Sequence, residues 1–453
     1  MAFFLPFSGH ALTSQTTRNA IQGSAPYLTF DGGRTRAVDT NGLLGITLSN
    51  GIKYTPSTNT SSSSAPISLP VEGQSFADIR MFVPTDTDSV ALSTLIGPPN
   101  NYWGDDDGDS GVTATGRLSL SIVDKSGQTV SRSTVPEICK APYRIKLSST
   151  DGTLSTRYGF PNRSTFSASD VTYYVNPKAA PVVCFARPNL MFGKLGEASW
   201  APSHDFRGPA SMWDPANGFI PQSTSPSLYG RNFPTTGGNG LYFDLLIGGV
   251  SQPLSWSPVS HGGITATMSN PTATSVRVTL TGPYATPSQI SSANPGPLST
   301  ISLPQTFELV GRDTNGAPVV KYGFTLKQWF VNTGSVKKNY PNTLSWCNRI
   351  GYRMPSVKDL TNASCSGTLS GAHCQGSVGA TPSSPNNLYM RHIGSGFVAE
   401  WGKMIDYSGV VFTLSGYWTS DPNGSRQFIV YTYDGYVRSQ NTSFDLYGLC
   451  SHP

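Results

Sequence analysis

The chain has 453 residues, and its composition is that of a turn-rich β protein. It contains 47 glycines and 35 prolines, 13% of its residues are charged, and 11% are aromatic. Scarce charges and plentiful aromatic residues exclude a coiled coil and a disordered charged tail. The length corresponds to about three domains. The net charge of +5 is spread thinly, with no basic run longer than Lys337-Lys338, so we expect no nucleic-acid partner.

The first eleven residues are similar to the end of a secretory signal. Residues 2–7 read AFFLPF, and the next four, SGHA, have the small-x-small ending of a signal-peptidase site. The apolar stretch is short and no basic residue precedes it, so an ordinary apolar segment is the alternative. We expect residues 1–11 to be a truncated signal peptide of a secreted protein. No stretch reaches the roughly 20 apolar residues of a membrane-spanning helix, so no transmembrane segment is expected.

Residues 12–240 are predicted to form a β-rich region of one or two sandwich domains with long loops. Arg117–Val123 alternates polar and apolar residues as a half-buried strand does, and 144–147 and 171–175 follow the same pattern. Residues 55–64 (TPSTNTSSSS) predict a polar loop. Residues 199–240 sustain no period and indicate an ordered linker or long loops.

The densest charge cluster is the string DDDGDSG at residues 105–111. Asp105, Asp107 and Asp109 alternate as in a calcium loop, but the glycine is misplaced and Gly116 stands where the bidentate Glu would be. We expect a solvated acidic turn, with Ca²⁺ binding left open, and no metal site or cofactor otherwise.

Catalytic motifs are absent from the sequence. The acidic string contains the Gly-Asp-Ser-Gly of trypsin-like proteases, but that chemistry needs an upstream His, and only His10 precedes Ser110. No GxSxG, HExxH or phosphate-binding loop occurs. We therefore expect the protein not to be an enzyme.

Residues 241–328 predict an immunoglobulin-like β-sandwich. Apolar residues alternate over 264–268 and 276–280. Phe307 and Leu309 lead to Asp-Thr-Asn-Gly at 313–316, a strong hairpin signal, and a return strand follows.

Residues 329–453 predict a compact α+β domain. Asn342 can cap a short helix over 343–350, which Gly351 would end. Ser356 and Asp359 then have the spacing of a capping box at the start of a second helix. Strands rich in glycine and aromatic residues follow.

The six cysteines have no metal-binding spacing, and their even number indicates disulfides in an oxidising compartment. Fifteen connectivities are possible, but the spacing is clustered. We pair Cys139 with Cys184, which lie alone in the N-terminal half, and Cys365 with Cys374 around a short Ser/Gly-rich loop. Cys347 with Cys450 remains.

The C-terminal block resembles the C-type-lectin-like domain that ends intimin- and invasin-type bacterial adhesins. The segments that carry the resemblance are Trp346-Cys347, Gly351–Pro355, the second helix through Leu360, Gly416–Ser420 and Gly448–Cys450. In such domains the helix cysteine bonds the cysteine near the chain end, which supports the Cys347–Cys450 pair. Family members place an immunoglobulin-like domain directly before it, as at 241–328. Residues 307–313 and 322–330 look like those of Zir-type secreted enterobacterial exoproteins.

The resemblance implies a mainly β, multidomain fold: a β-rich N-terminal region, an immunoglobulin-like sandwich and a C-type-lectin-like domain. It implies a secreted or surface-associated adhesin of a Gram-negative bacterium that binds a host-cell or bacterial-surface protein or glycan. Intimins and invasins carry their own outer-membrane barrel, but this chain is too short to hold a barrel beside three domains. We therefore expect export with a separate outer-membrane inverse autotransporter. The alternative is a structural partner that docks on that barrel or polymerises with sister exoproteins.

Calcium-dependent sugar binding of the C-type-lectin kind is not expected. The nearest strings to the lectin motifs are Ser-Pro-Asn at 384–386 and Trp-Thr-Ser-Asp at 418–421, which lack the carboxylates that a hard cation needs.

Aromatic residues are dense from Tyr389 to Tyr447, and aromatic and arginine side chains dominate binding hot spots. Trp346 and Trp418 are expected in the core. The hairpin turn at 433–436 should expose Tyr433, Tyr436 and Arg438. Arg391, Tyr407 and Arg426 are expected at exposed loop positions, and these six residues are the candidate ligand contacts.

Overall fold

The computed structural model describes residues 23–367 and 369–453, so the predicted signal at 1–11 lies outside the described residues. The chain divides into two compact units, Met1–Ala179 and Ala180–Pro453. Both are built mainly of strands, so the predicted mainly β, multidomain class is confirmed. The division falls inside the predicted 12–240 region, whose residues 180–240 belong to the second unit. Across the described part of the chain, no helix has the length and apolarity needed to cross a membrane.

The first unit contains twelve described strands and one short helix, α1 (Leu92–Ile96). The strands are β1 (Tyr27–Leu28), β2 (Ile46–Thr47), β3 (Lys53–Tyr54), β4 (Ile67–Ser68), β5 (Ser89–Ala91), β6 (Trp103–Gly104), β7 (Thr113–Ala114), β8 (Arg117–Val123), β9 (Tyr143–Ser149), β10 (Gly152–Ser155), β11 (Arg163–Phe166) and β12 (Asp170–Asn176). Three-residue 3₁₀ turns lie at Asn41–Leu43, Phe76–Asp78 and Ile138–Lys140.

A five-stranded sheet, in the order β4-β12-β9-β8-β5, forms the centre of this unit. The predicted strand Arg117–Val123 is β8, with the predicted bounds. Ile122 lies opposite Ile145, and Ile145 lies opposite Tyr173, so one apolar row crosses three strands. All three side chains are buried, which is how period-2 alternation positions the core.

The second unit contains sixteen strands and four short α-helices among its described residues. The strands are β13 (Val182–Arg187), β14 (Trp213–Asp214), β15 (Gly218–Phe219), β16 (Thr236–Gly238), β17 (Tyr242–Gly248), β18 (Ser255–Trp256), β19 (Val259–His261), β20 (Ile264–Ser269), β21 (Ser275–Thr281), β22 (Gln305–Arg312), β23 (Pro318–Leu326), β24 (Gln328–Lys338), β25 (Gly416–Asn423), β26 (Arg426–Tyr431), β27 (Val437–Asn441) and β28 (Leu446–His452). The helices are α2 (Pro287–Ser291), α3 (Tyr340–Arg349), α4 (Val357–Leu360) and α5 (Phe397–Trp401), with 3₁₀ turns at Pro226–Arg231 and Met404–Asp406.

The first part of this unit is a β-sandwich. A seven-stranded sheet in the order β14-β15-β13-β17-β21-β20-β19 packs on a three-stranded sheet, β18-β22-β23. Phe243 of β17 contacts Phe324 of β23 with ring centroids 5.9 Å apart, which joins the two inner faces. Residues 241–328 therefore supply seven of the ten strands of the sandwich, while β13, β14 and β15 come from before Leu241.

The last part is a six-stranded sheet, in the order β16-β24-β28-β25-β26-β27, with short helices beside it. Helix α3 begins three residues before the predicted start because Asn339, not Asn342, caps it and Pro341 fits its first turn. The predicted capping box of Ser356 and Asp359 is present at α4. Strand β16 pairs in parallel with β24, so the chain before Leu241 also enters this sheet, and one apolar core runs through the whole unit.

All six cysteines form disulfide bonds. Cys347 of α3 is bonded to Cys450 of β28, and Cys365 is bonded to Cys374. Cys139 and Cys184 are disulfide-bonded as well, so none of the six cysteines is free.

Candidate ligand-binding surface

The hairpin of β26 and β27 presents two tyrosines on a tightly held turn. Within the turn, the Gly435 amide donates to the Tyr431 carbonyl at 2.9 Å, and the Tyr431 amide donates to the Tyr436 carbonyl at 3.0 Å. Gly435 has φ 74°, and a Cβ there would lie 2.5 Å from the Thr361 hydroxyl oxygen. The turn is therefore fixed both by its own hydrogen bonds and by close packing on the neighbouring segments.

Asp434 supports the turn from inside. Its side chain is 1% exposed, and its Oδ1 accepts a hydrogen bond from the Tyr436 amide at 3.0 Å. Its carbonyl accepts another from the Tyr389 amide at 3.0 Å. Burial raises the pKa of Asp434 to about 7, so the carboxyl is partly protonated at neutral pH. Asp434 is thus a structural residue that points inward while its tyrosine neighbours reach the surface.

Trp200 lies against this turn from a distant part of the chain. Its ring centroid is 5.9 Å from that of Tyr433 and 5.8 Å from that of Phe192, with edge-to-face geometry in both pairs. Trp200 is 47% exposed, whereas Phe192 beneath it is buried. Phe192 has φ 55°, a backbone conformation that costs a non-glycine residue about 1 kcal/mol or more. Tertiary packing holds this strained residue in place under the indole.

Five side chains form what we call the aromatic surface: Trp200, His373, Tyr431, Tyr433 and Tyr436. The centroid of Tyr431 is 5.8 Å from that of Tyr433 and 5.6 Å from that of Tyr436. All five are exposed or half-buried. Burial of the ring raises the pKa of both the Tyr433 and Tyr436 phenols, so they carry their protons at neutral pH and can donate hydrogen bonds.

His373 of the aromatic surface lies on a loop that the Cys365–Cys374 disulfide closes. One ring nitrogen, Nε2, lies 2.8 Å from the Tyr436 hydroxyl and 3.0 Å from the Leu369 carbonyl. The His373 carbonyl accepts a hydrogen bond of 2.6 Å from the Ser439 amide of β27. The disulfide loop is thereby attached to the edge strand of the sheet.

Arg391, expected as an exposed ligand contact, is fully buried, and that expectation of exposure was wrong. Its guanidinium donates to the carbonyls of Asn189 at 2.6 Å, Met191 at 2.8 Å and Phe192 at 3.2 Å. A fourth hydrogen bond of 3.1 Å goes to the Glu400 carbonyl. A five-donor planar group satisfies several carbonyls of one irregular segment at once. Arg391 therefore holds the 189–192 segment that leads to Trp200.

Tyr407 is also buried, at 2% exposure, so its predicted loop exposure was wrong as well. Its hydroxyl donates to the Trp401 carbonyl at 2.8 Å and accepts a hydrogen bond from the Asn189 amide at 2.9 Å. Burial raises the pKa of this phenol, which keeps its proton. Like Arg391, Tyr407 positions the start of the segment that carries Trp200.

Arg426 and Arg438, the other two arginines among the predicted ligand contacts, are exposed but lie at different ends of the hairpin. Arg438 is opposite Ile429 on β27, next to the tyrosine turn, and its charge acts on the Tyr436 phenol. Arg426 pairs with Asn441 at the far end, about 16 Å along the strand from Tyr431. The structure brings Arg438 to the aromatic surface and leaves Arg426 outside it. As ligand contacts, Tyr433, Tyr436, Arg438 and Arg426 stay predictions.

The acidic string of the first unit forms a compact carboxylate cluster. Oxygens of Asp105, Asp107 and Asp109 all lie within 4.8 Å of one another. Asp105 Oδ1 accepts hydrogen bonds from the amides of residues 107 and 109, while its Oδ2 is buried without a hydrogen-bond partner in the described part of the chain. These are oxygen ligands of the type that Ca²⁺ takes, but three carboxylates fall short of its usual six to eight ligands.

Sequence reasoning did not find Trp200, His373 or Tyr431. A tryptophan in an irregular stretch and a histidine in a Ser/Gly-rich loop carry no local pattern that indicates a site. Long-range packing of the 189–200 segment and of the disulfide loop brings Trp200 and His373 to the hairpin, where Tyr431 already lies beside Tyr433 and Tyr436.

No known protein family matches the sequence, and a search of characterised proteins finds no relative. Among solved structures, the chain is similar to invasin, a bacterial integrin-binding protein, with TM-score 0.35 and 12% identity over 77% of this chain and 52% of that one. It is also similar to the C-terminal 282-residue fragment of intimin in complex with the intimin-binding domain of the translocated intimin receptor (TM-score 0.31, 9% identity, 75% and 94% covered). A mutant intimin of EHEC O157:H7 gives TM-score 0.27 and 11% identity over 49% and 89%. The chain spans about half the length of the invasin structure.

Proposed function

We propose that this protein is an adhesin-like, secreted or surface-associated protein that binds a macromolecular ligand through the aromatic surface of its second unit. The observation that carries the proposal is the position of Trp200, which is 47% exposed and packs against the Tyr433 ring. The segment that leads to Trp200 is held through its backbone carbonyls, which accept hydrogen bonds from buried Arg391. A large indole held rigidly at the surface loses little entropy on binding and can bury much apolar area.

The composition of the aromatic surface favours a protein ligand. Its side chains combine ring faces with hydroxyl and imidazole groups, and the arginine at its border, Arg438, takes part in no ion pair among the described residues. Tyr, Trp and Arg are the residue types that most often supply protein-binding hot spots. The solved structures that are similar to this chain include an integrin-binding protein and an intimin–receptor complex, which agrees with a protein ligand.

An extracellular location is part of the proposal. All six cysteines are disulfide-bonded, which fits an oxidising compartment. Export with a separate outer-membrane inverse autotransporter is the route we propose. Co-expression with such a barrel protein should release the chain into the medium; retention in the periplasm in its presence would contradict this route.

The test is binding of the fluorescently labelled full chain to cultured epithelial cells, measured by flow cytometry. We expect saturable binding that falls at least tenfold in Trp200→Ala. Phe444→Ala, which removes another exposed aromatic side chain of the same unit at the opposite end of the hairpin, should bind normally.

Treatment of the cells identifies the ligand class. We expect binding to be lost after mild surface proteolysis and kept after enzymatic removal of N-glycans and sialic acid. Loss on deglycosylation alone would replace a protein ligand with a glycan, and equal binding of Trp200→Ala and the unchanged chain would overturn the assigned surface.

A further inference from the structure

The first unit contains a groove that the adhesin-like function of the second unit does not use. Its volume is about 540 Å³, within the range of about 300–1,000 Å³ typical of small-ligand sites. Three aromatic side chains, Phe30, Phe82 and Tyr102, line it together with polar residues that include Lys53, Asn41 and Ser57. Most of its walls come from loops between the short strands of this unit.

The aromatic wall of the groove is pre-formed. The Tyr102 ring stands between the other two, with its centroid 5.4 Å from that of Phe30 and 5.8 Å from that of Phe82. Phe30 lies directly on the backbone of Gly42, where an added Cβ would be 2.3 Å from the ring. The absence of a side chain at Gly42 therefore lets Phe30 occupy a fixed position in the wall.

Among the residues that the structure describes, Lys53 supplies the one positive charge of the groove's polar part. Lys53 is exposed, and the ion pairs of the described residues do not include it. None of the described lining residues carries a carboxylate, and the other polar groups among them are neutral hydroxyls and an amide. A ligand that pairs with this wall must offer hydrogen-bonding groups and one negative charge.

We propose that this groove binds an acidic saccharide, a pyranose ring that bears a carboxylate. The C–H faces of the ring pack on the aromatic wall, its hydroxyls bond Asn41 and Ser57, and its carboxylate pairs with the Lys53 ammonium. An aliphatic ligand would leave the polar lining unpaired, and a polyphosphate would leave most of its charge without a cation. This inference concerns the first unit and does not depend on the proposed function of the second.

Isothermal titration of the full chain tests the proposal with matched pairs of probes. The acidic probes are 3′-sialyllactose and methyl galacturonoside, each with one carboxylate, and the neutral counterparts are lactose and the methyl ester of methyl galacturonoside. We expect the chain to bind at least one acidic probe about tenfold more tightly than its neutral counterpart, the size of one charge-assisted hydrogen bond. Equal affinity within both pairs, or binding of neither acidic probe at millimolar concentration, overturns the proposal.

Variants of the lining residues test whether the saccharide binds in this groove. Lys53→Gln should abolish the preference for the acidic probe, and Phe30→Ala should weaken the binding of both members of a pair. Lys146→Gln, which removes an exposed lysine on β9 of the same unit, should change neither. A Lys53→Gln variant that keeps the full acidic preference contradicts the assignment, and circular dichroism confirms that each variant is folded.

Discussion

Replacing Arg391 by methionine tests whether a buried arginine organises the surface that exposes Trp200. Methionine fills much of the same volume but donates no hydrogen bond. The change leaves four carbonyls without the guanidinium, those of Asn189, Met191, Phe192 and Glu400, at original distances of 2.6–3.2 Å.

The magnitude follows from two opposing effects. Hydrogen bonds from a charged group contribute about 1.5–3 kcal/mol each, so losing four costs on the order of 6–12 kcal/mol. Removing a fully buried charge returns several kcal/mol of desolvation free energy. We therefore expect a net loss of about 3–5 kcal/mol in the free energy of unfolding of the second unit.

Tryptophan fluorescence during urea unfolding measures this loss, because Trp103 is the one tryptophan outside the second unit. The matched control is Arg426→Met, an exposed arginine on the same hairpin, which should change stability by less than about 0.5 kcal/mol. Hydrogen exchange should also become faster at the amides of residues 189–200 in Arg391→Met alone. If Arg391→Met unfolds within 1 kcal/mol of the unchanged chain, the guanidinium does not hold this segment.

Three other predictions concern the turn and helix α3. Asp434, with its pKa raised to about 7, stabilises the fold fully below about pH 4, and this contribution is lost as the pH rises toward 7. The unchanged chain should therefore lose about 2–3 kcal/mol more unfolding free energy between pH 5 and pH 8 than Asp434→Asn does, as measured by urea titrations at both pH values. An unchanged pH dependence would contradict the burial argument. Gly435→Ala should destabilise the second unit by about 1–3 kcal/mol more than Gly424→Ala, because both glycines have positive φ but only Gly435 has close neighbours, and equal thermal shifts would refute this. Asn339→Ala should cost about 1 kcal/mol by removing the cap of α3, whereas Asn342→Ala should cost little, and the reverse order in urea unfolding would restore the predicted helix start.

Local patterns in the sequence predict strands well wherever one face of a strand is buried. Arg117–Val123 has its predicted bounds because its alternation is complete and the Asp-Lys-Ser-Gly turn follows at once. The capping box at Ser356 is equally local, since its partners lie three residues apart. Helix α3 shows the limit: the sequence pattern predicts Asn342 as the cap, but the helix begins three residues earlier, with Asn339 as the cap and Pro341 in the first turn.

The arrangement of the site depends on long-range packing that no local pattern encodes. Strand β13 joins the sandwich by pairing with β17, far along the chain, so the sandwich extends to before Leu241. Arg391 and Tyr407 have loop positions and polar groups, as an exposed contact would, but their hydrogen-bond partners are backbone groups of the 189–192 segment and of residues 400 and 401. The irregular segment that contacts Arg391 and Tyr407 also leads to Trp200, which packs on the hairpin.

The most direct test of the aromatic surface is the affinity of the full chain for epithelial cells in a double-mutant cycle of Trp200→Ala and Tyr433→Ala. If the two rings form one contact site, each single variant should lose at least tenfold in affinity, and the double variant should lose less than the product of the two losses. Affinities of all three variants equal to that of the unchanged chain, with all of them folded, would contradict the account.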